Sequence, residues 1–564
     1  MDVDSIFKNT EETNKKRNPE EADSLEPASS RRRLAEENSD EENEEFDEEG
    51  GRFFGSGLKK SEKTVLDFLD EQEAQEEPAS LTPTELKRMV VRLEKTINNN
   101  QELRIKYSTS PQRFIESEAD LDLEIRSFNV LSEYPILIPI FLKLDCVSTF
   151  LELMNHENAD ITITVLELLI ELTDEDVDPD ALNSLFTSLI DSGLLPLLSN
   201  TIKRFDESNE EDRHGVYCVL SLMENLLSVD NSICSIIVEN TTLVEWLLSR
   251  SSVDETSIST NLQYAVEILA IILANSKEAK LKVCNLNGID LLLRRISPYR
   301  LRDPTQGSEE EMMENVFDCL CSLVQETKGK SLFLKEEGIE LCILNMKHKG
   351  KSRYSTIKVL DYLLFGPLST PYCIRFVEAG GLKYIFAAFM KISAADTLEH
   401  ILAILASLFR SLPADTVERV RFLRKFIEND FEKMKRLFKI YDRLRIQLKG
   451  IDQSRKLDFS PDSEEKSTKW FLQQIDHGLF PFQSTVLILS WLCVENTVTL
   501  KKIKMLFSEA SIPIDELTDA LKNYHENLEE PTVESEEVEA NDSYYRIDEK
   551  PMVTVLLGSM QASV

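Results

Sequence analysis

The chain has 564 residues, 42% of them apolar, enough to bury a large core either as several domains or as one solenoid. Its 101 acidic residues against 64 basic ones give a net charge of −37. Nonspecific nucleic-acid binding depends on Lys and Arg neutralising phosphates, so the charge balance disfavours it and favours basic partners. No run of 18 apolar residues occurs and residues 1–35 are highly charged, so neither a membrane span nor a signal peptide is expected.

Residues 1 to about 80 are rich in Glu, Asp, Ser and Asn and poor in apolar side chains, which predicts a disordered acidic tail. Two basic triplets stand within it, Lys15-Lys16-Arg17 and Arg31-Arg32-Arg33, separated by a 13-residue polar spacer. That is the shape of a bipartite nuclear localisation signal read by import receptors. Glycines at 50, 51, 55 and 57 precede Lys59 and Lys60, but the phosphate-loop spacing is absent and the segment reads as a linker. A helix is predicted over Ser61–Gln75. An N-terminal helical cap over 81–130 begins with a helix over Leu81–Asn98, N-capped by Thr84, with Leu86, Met89, Val90 and Leu93 at helical spacing.

From 131 to 445 a short phrase recurs. It reads Gly-Ile-Asp-Leu-Leu-Leu at Gly288, Gly-Ile-Glu-Leu-Cys-Ile at Gly338, Gly-Leu-Lys-Tyr-Ile-Phe at Gly381 and Gly-Leu-Leu-Pro-Leu-Leu at Gly193. Degenerate copies start at Cys146 and Thr242, and the steps are 47, 49, 46, 50 and 43 residues. A period in this range means stacked helical repeats. The unit around Gly381 predicts three helices, Tyr372–Ala379, Leu382–Met390 and His400–Leu412, with glycine ending the first. Three helices per period is the armadillo arrangement, whereas HEAT units have two. Weaker copies at Phe426 and Gly478 extend the array. Between them 446–469 reads as a polar inserted loop, and 470–528 as a C-terminal repeat or cap. Residues 529–564 read as an acidic disordered tail, with Met552–Leu557 packing either on the fold or on a partner. The expected fold is all-α: an armadillo-type, right-handed superhelical solenoid with disordered acidic N- and C-terminal tails.

Little points to chemistry. The nine cysteines include no Cys-x-x-Cys and read as buried reduced thiols. The six histidines are scattered, none in a His-x-x-x-His pair and none read as neighbouring a cysteine at ligand spacing, so no zinc site is expected. No nucleophile elbow, dinucleotide phrase or kinase set appears, so no enzyme and no cofactor is expected. The groove lined by each third helix is the better candidate. Armadillo proteins that import cargo place Trp and Asn there four residues apart, repeated from unit to unit. Only Asn225 survives at the Asn positions and no Trp survives at the Trp positions. Glu167, Glu171 and Asp318 would instead turn negative charge toward the groove, where Lys and Arg side chains could be accepted through charge-assisted hydrogen bonds.

Specific phrases resemble the beta-catenin-like protein 1 family: Asn100 to Tyr107, Glu116 to Leu123, Gly288 to Leu293, Glu310 to Cys321, Lys358 to Asp361, Glu428 to Asp430 and Asp476 to Phe480. The resemblance spans roughly 98 to 525. It implies a nuclear armadillo protein associated with the spliceosome, linked to the nineteen complex and its Myb-like subunit. It further implies binding to basic nuclear-localisation segments of splicing proteins, and self-association as a homodimer. The alternative is a nuclear import adaptor for splicing factors. Replacing Arg31, Arg32 and Arg33 with Ala should lower the nuclear fraction of a fluorescently tagged chain. An unchanged fraction would remove the signal from the account.

Overall fold

A computed structural model describes residues 81–563 apart from 175–176, 256, 306, 458–463 and 529–548. Both basic triplets and the Ser61–Gln75 helix lie outside the described residues. Within them every regular element is a helix. The first spans Pro83–Lys106 and starts one residue before the expected cap. Thr82, not Thr84, is the N-cap, and it exchanges side-chain and backbone hydrogen bonds with Glu85 in a capping box.

The Gly381 unit shows the repeat. Thr370–Glu378, Gly381–Phe389 and Ala395–Ser411 are its three helices. The Gly288 unit has Lys277–Asn285, Gly288–Ile296 and Gly307–Leu323; the Gly338 unit has Thr327–Lys335, Gly338–His348 and Ser352–Leu364. Third helices stack into one inner row: Ile115–Ser127, Ala159–Leu172, Glu210–Val229, Thr260–Asn275, Gly307–Leu323, Ser352–Leu364, Ala395–Ser411 and Leu479–Glu495. Each packs on the next. A single hydrophobic cluster runs from Leu86 to Met560, as an armadillo-type solenoid requires. All nine cysteines lie in it as free, buried thiols.

The recurrent glycine has a different cause from the one expected. At Gly193 and Gly380 the residue does occupy the left-handed region, with φ of +86° and +87°. At the turns before Gly288 and Gly338 that conformation falls to Asn287 and Glu337, with φ of 60° and 58°. Gly288, Gly338 and Gly381 are each the first residue of a second helix. There a Cβ would come within 2.3 Å of Val283, 2.5 Å of Phe333 and 2.3 Å of Phe376 respectively. The first helix lays a bulky side chain where the second helix begins, and only hydrogen fits between them.

Of three further segments, one agrees with expectation and two depart from it. Phe426-Ile-Glu-Asn-Asp does mark a turn, since the helical segment Val417–Leu457 is broken at Glu428–Phe431, with positive φ at Asn429, Asp430 and Phe431. The 446–469 segment is not a loop throughout. It is helical to Leu457 and again from Glu464, and Asp452 accepts hydrogen bonds from Trp470 Nε1 (3.3 Å) and Gln474 Nε2 (3.0 Å). The end of the 529–564 tail is a helix, Glu549–Ser563, that packs on Leu479–Glu495 and Asp515–Glu526. It buries Val553, Leu556 and Met560, and Glu549 accepts a 2.7 Å hydrogen bond from Arg410 Nε. Met552–Leu557 therefore packs on the fold.

Gly381→Ala should destabilise the chain by about 1–3 kcal/mol through overpacking against Phe376. Gly307→Ala, whose Cβ would meet nothing within 4 Å, is the control. Denaturant midpoints measure both. Equal midpoints for the two variants would contradict the close-contact explanation.

Candidate partner-binding cleft

Three successive inner helices, Ile115–Ser127, Ala159–Leu172 and Glu210–Val229, border an open cleft of about 710 Å³. Helical spacing delivers its charge. Glu118 and Asp122 stand one turn apart on the first helix, and Asp160 and Glu167 two turns apart on the second. Glu210 and Glu211 open the third. Asn158 and Asn209 cap the second and third helices by accepting from the backbone of Asp160 (3.0 Å) and Glu211 (3.4 Å). Acidic side chains in these first turns also suit the positive end of the helix dipole. Six carboxylates line the cleft against one arginine, Arg126, and His214.

Glu167 is held within the protein on both sides. Its Oε2 accepts from Arg126 Nη1 at 2.9 Å, and its Oε1 lies 2.9 Å from His214 Nε2. Arg126 also donates to Asp122 (2.9 Å) and Thr164 (3.1 Å). Hydrogen bonding to Asp122 and then Glu167 raises the Arg126 pKa above its ordinary value, with partial burial opposing. The ion pair is half-exposed, so it contributes little to stability and can exchange partners.

The remaining sequence-derived residues part company. Glu171 is exposed one turn beyond Glu167 and accepts from Ser132 Oγ at 3.2 Å. Asn225 does not offer a free amide nitrogen: Nδ2 donates to Ile170 O and Thr173 Oγ1, both at 3.1 Å. It thus closes the C-terminus of the preceding inner helix. Asp318 lies three inner helices further along, ion-paired with Lys358 at 2.6 Å. Only Glu167 and Glu171 sit together.

Residues 63–522 match the model of a family described as catenin-beta-like, Arm-motif containing and nuclear. The chain belongs to this family. Beta-catenin-like protein 1 of Homo sapiens is 34% identical over 470 residues, covering 79% of this chain and 82% of the relative. That of Bos taurus is 34% identical over 469 residues, with the same coverage. Among solved structures, a chain from work on the interaction between cadherin and beta-catenin is similar at a TM-score of 0.46 and 13% identity, covering 84% of this chain and 80% of that one. A designed armadillo repeat protein is similar at a TM-score of 0.34 and 11% identity, covering 56% and 99%. A nuclear location fits the family description.

In this catenin-beta-like chain the sequence reading missed Asp122, Arg126, Asp160, Glu210, Glu211 and His214. The expected groove register begins at Glu167, one helix late, because Ile115–Ser127, assigned to the N-terminal cap, is the first rung of the inner row. The available signal was the spacing of Glu118, Asp122 and Arg126 on one face. Aromatic rings extend the cleft wall. His214 and Tyr217 are stacked with centroids 6.2 Å apart, and Tyr217 and Tyr264 lie 5.6 Å apart. Behind His214, one turn on, lies the buried Cys218, with Sγ 3.5 Å from His214 Nε2. Burial pushes that thiol up to about 12, so it is neutral near pH 7. His214 and Cys218 stand four residues apart on one helix, so the expectation that no histidine neighbours a cysteine at ligand spacing is wrong at this position.

Proposed function

We propose that this chain is a nuclear scaffold, without enzymatic activity, that holds basic segments of splicing factors in the acidic cleft. It thereby assists pre-mRNA splicing as a component or associate of the nineteen complex, with that complex's Myb-like subunit a leading partner. One observation carries the reading: of the six carboxylates that line an open cleft, Glu118 is paired with Arg104 and both Asp122 and Glu167 with Arg126, which leaves Asp160, Glu210 and Glu211 to face the cleft. No ion pair is recorded for Asp160, Glu210 or Glu211 among the described residues, and all three are exposed. Like charges gathered without internal partners favour a ligand of opposite charge, and they steer it in from a distance. Membership of a nuclear Arm-motif family supports the setting.

The import-adaptor alternative needs free amides to clamp an extended backbone. Asn225 spends its amide nitrogen on the neighbouring helix, which counts against that role. Binding through carboxylates is also salt-sensitive and tolerant of sequence, as suits a scaffold that gathers several basic partners.

The triple replacement Asp160→Lys, Glu210→Lys and Glu211→Lys should weaken binding of a Lys/Arg-rich peptide from a splicing factor roughly tenfold at moderate salt. Glu152→Lys, exposed but outside the cleft lining, should change it little. Titration calorimetry of full-length proteins with matched circular dichroism measures both. Equal affinities would remove this cleft as the binding site.

A further inference from the structure

The cleft wall contains a group of side chains that basic-segment binding does not explain. Glu167 Oε1, His214 Nε2 and Cys218 Sγ all lie within 4.8 Å of one another. Two of the separations, O to N and S to N, are 2.9 and 3.5 Å. Both converge on the same ring nitrogen. With a proton that nitrogen donates to the carboxylate and leaves the sulfur only a weak second acceptor; with a lone pair it can accept from the thiol but then faces the carboxylate without a proton. A cation between the three atoms would be ligated by all of them at once.

We propose that Glu167, His214 and Cys218 form a binding site for a borderline-soft divalent metal of the Zn²⁺ or Co²⁺ class, with its fourth position open to the cleft. The donor set selects the class: imidazole and thiolate suit zinc and cobalt, whereas magnesium and calcium prefer all-oxygen ligands. The geometry is close to what such an ion needs. At ordinary zinc bond lengths a tetrahedral centre holds N and O about 3.3 Å apart and N and S about 3.6 Å apart. The O–N and N–S separations differ from these by a few tenths of an ångström, and the O–S separation lies within 4.8 Å, so side-chain rotation would draw Glu167 and Cys218 together around the ion. His214 and Cys218 project from one face of the Glu210–Val229 helix, and Glu167 from the Ala159–Leu172 helix packed beside it. The ion would tie two consecutive repeats together.

The surroundings suit the role. Arg126 holds the other oxygen of Glu167 at 2.9 Å, the kind of outer partner that orients a metal-binding carboxylate. Glu167 and His214 line the cleft and give the ion a path from solvent, while Cys218 closes the site from behind. On binding, the thiol loses its proton to solvent as the sulfur–metal bond forms, so uptake releases one proton and strengthens as pH rises. None of this depends on the cleft's peptide ligand.

The full-length protein, stripped of metal with a chelator and kept reduced, is titrated with Co²⁺ and followed by absorption spectroscopy. The expected result is one Co²⁺ per chain with a near-ultraviolet thiolate-to-cobalt charge-transfer band, bleached by added Zn²⁺. Cys218→Ala and Cys218→Ser should each abolish the band. His214→Ala and Glu167→Gln should weaken cobalt affinity by tenfold or more, since losing even an outer-shell partner costs about that factor. Absence of the band in the wild-type chain, or a band that survives both Cys218 replacements, would overturn the proposal. Circular dichroism of each variant separates loss of the ligand from loss of the fold.

Discussion

The structure depends on the burial of inner helices that are apolar on more than one side. Thr260–Asn275 buries Leu262, Ala265, Val266, Ile268, Leu269, Ile272 and Leu273, a spread wider than one face. A single unit cannot cover such a helix, so each repeat needs a neighbour before and behind it. The charged groove follows from the same constraint. Once the apolar residues of every inner helix are committed to its two neighbours, only a narrow strip remains for polar side chains. In the first three helices that strip is acidic.

A stack held together in this way must be closed at its ends. Pro83–Lys106 covers one end, packing on Ile115–Ser127. Glu549–Ser563 helps cover the other. Its Glu549 reaches Arg410, whose guanidinium also donates to the Tyr524 hydroxyl at 3.2 Å. Cations seated on helix C-termini bind the layers between. Lys282 donates to Val238 O and Thr241 O, Arg204 to Met154 O and His156 O, and Arg419 to Leu408 O and Phe409 O. Each satisfies carbonyls that the helix itself leaves unpaired.

The period was legible in the sequence because it records a steric necessity repeated unit by unit. Gly288, Gly338 and Gly381 are fixed by a side chain five residues earlier, so the signal is local and survives divergence elsewhere. Its cause was not legible, since a glycine between helices reads first as a left-handed cap. The C-terminal helix was hidden for the opposite reason: its anchor, Arg410, lies 139 residues away. The cleft was half legible. Glu167 could be placed by register within its own helix, but its partners Arg126 and His214 come from the helices on either side. Whether a carboxylate is free or spent is decided across the stack, and the pairing of Asp318 with Lys358 shows how a groove charge found by register can be neutralised from the next repeat.

The central claim is that a basic segment occupies the start of the inner row and nothing further along it. Hydrogen–deuterium exchange of the full-length chain, with and without a Lys/Arg-rich segment of a splicing factor, tests this most directly. The account predicts slowed exchange in 115–127, 159–172 and 210–229, with the inner helices from 307 to 411 unchanged. Protection confined to 307–411, or no protection in the first three inner helices at a saturating concentration of segment, would contradict it.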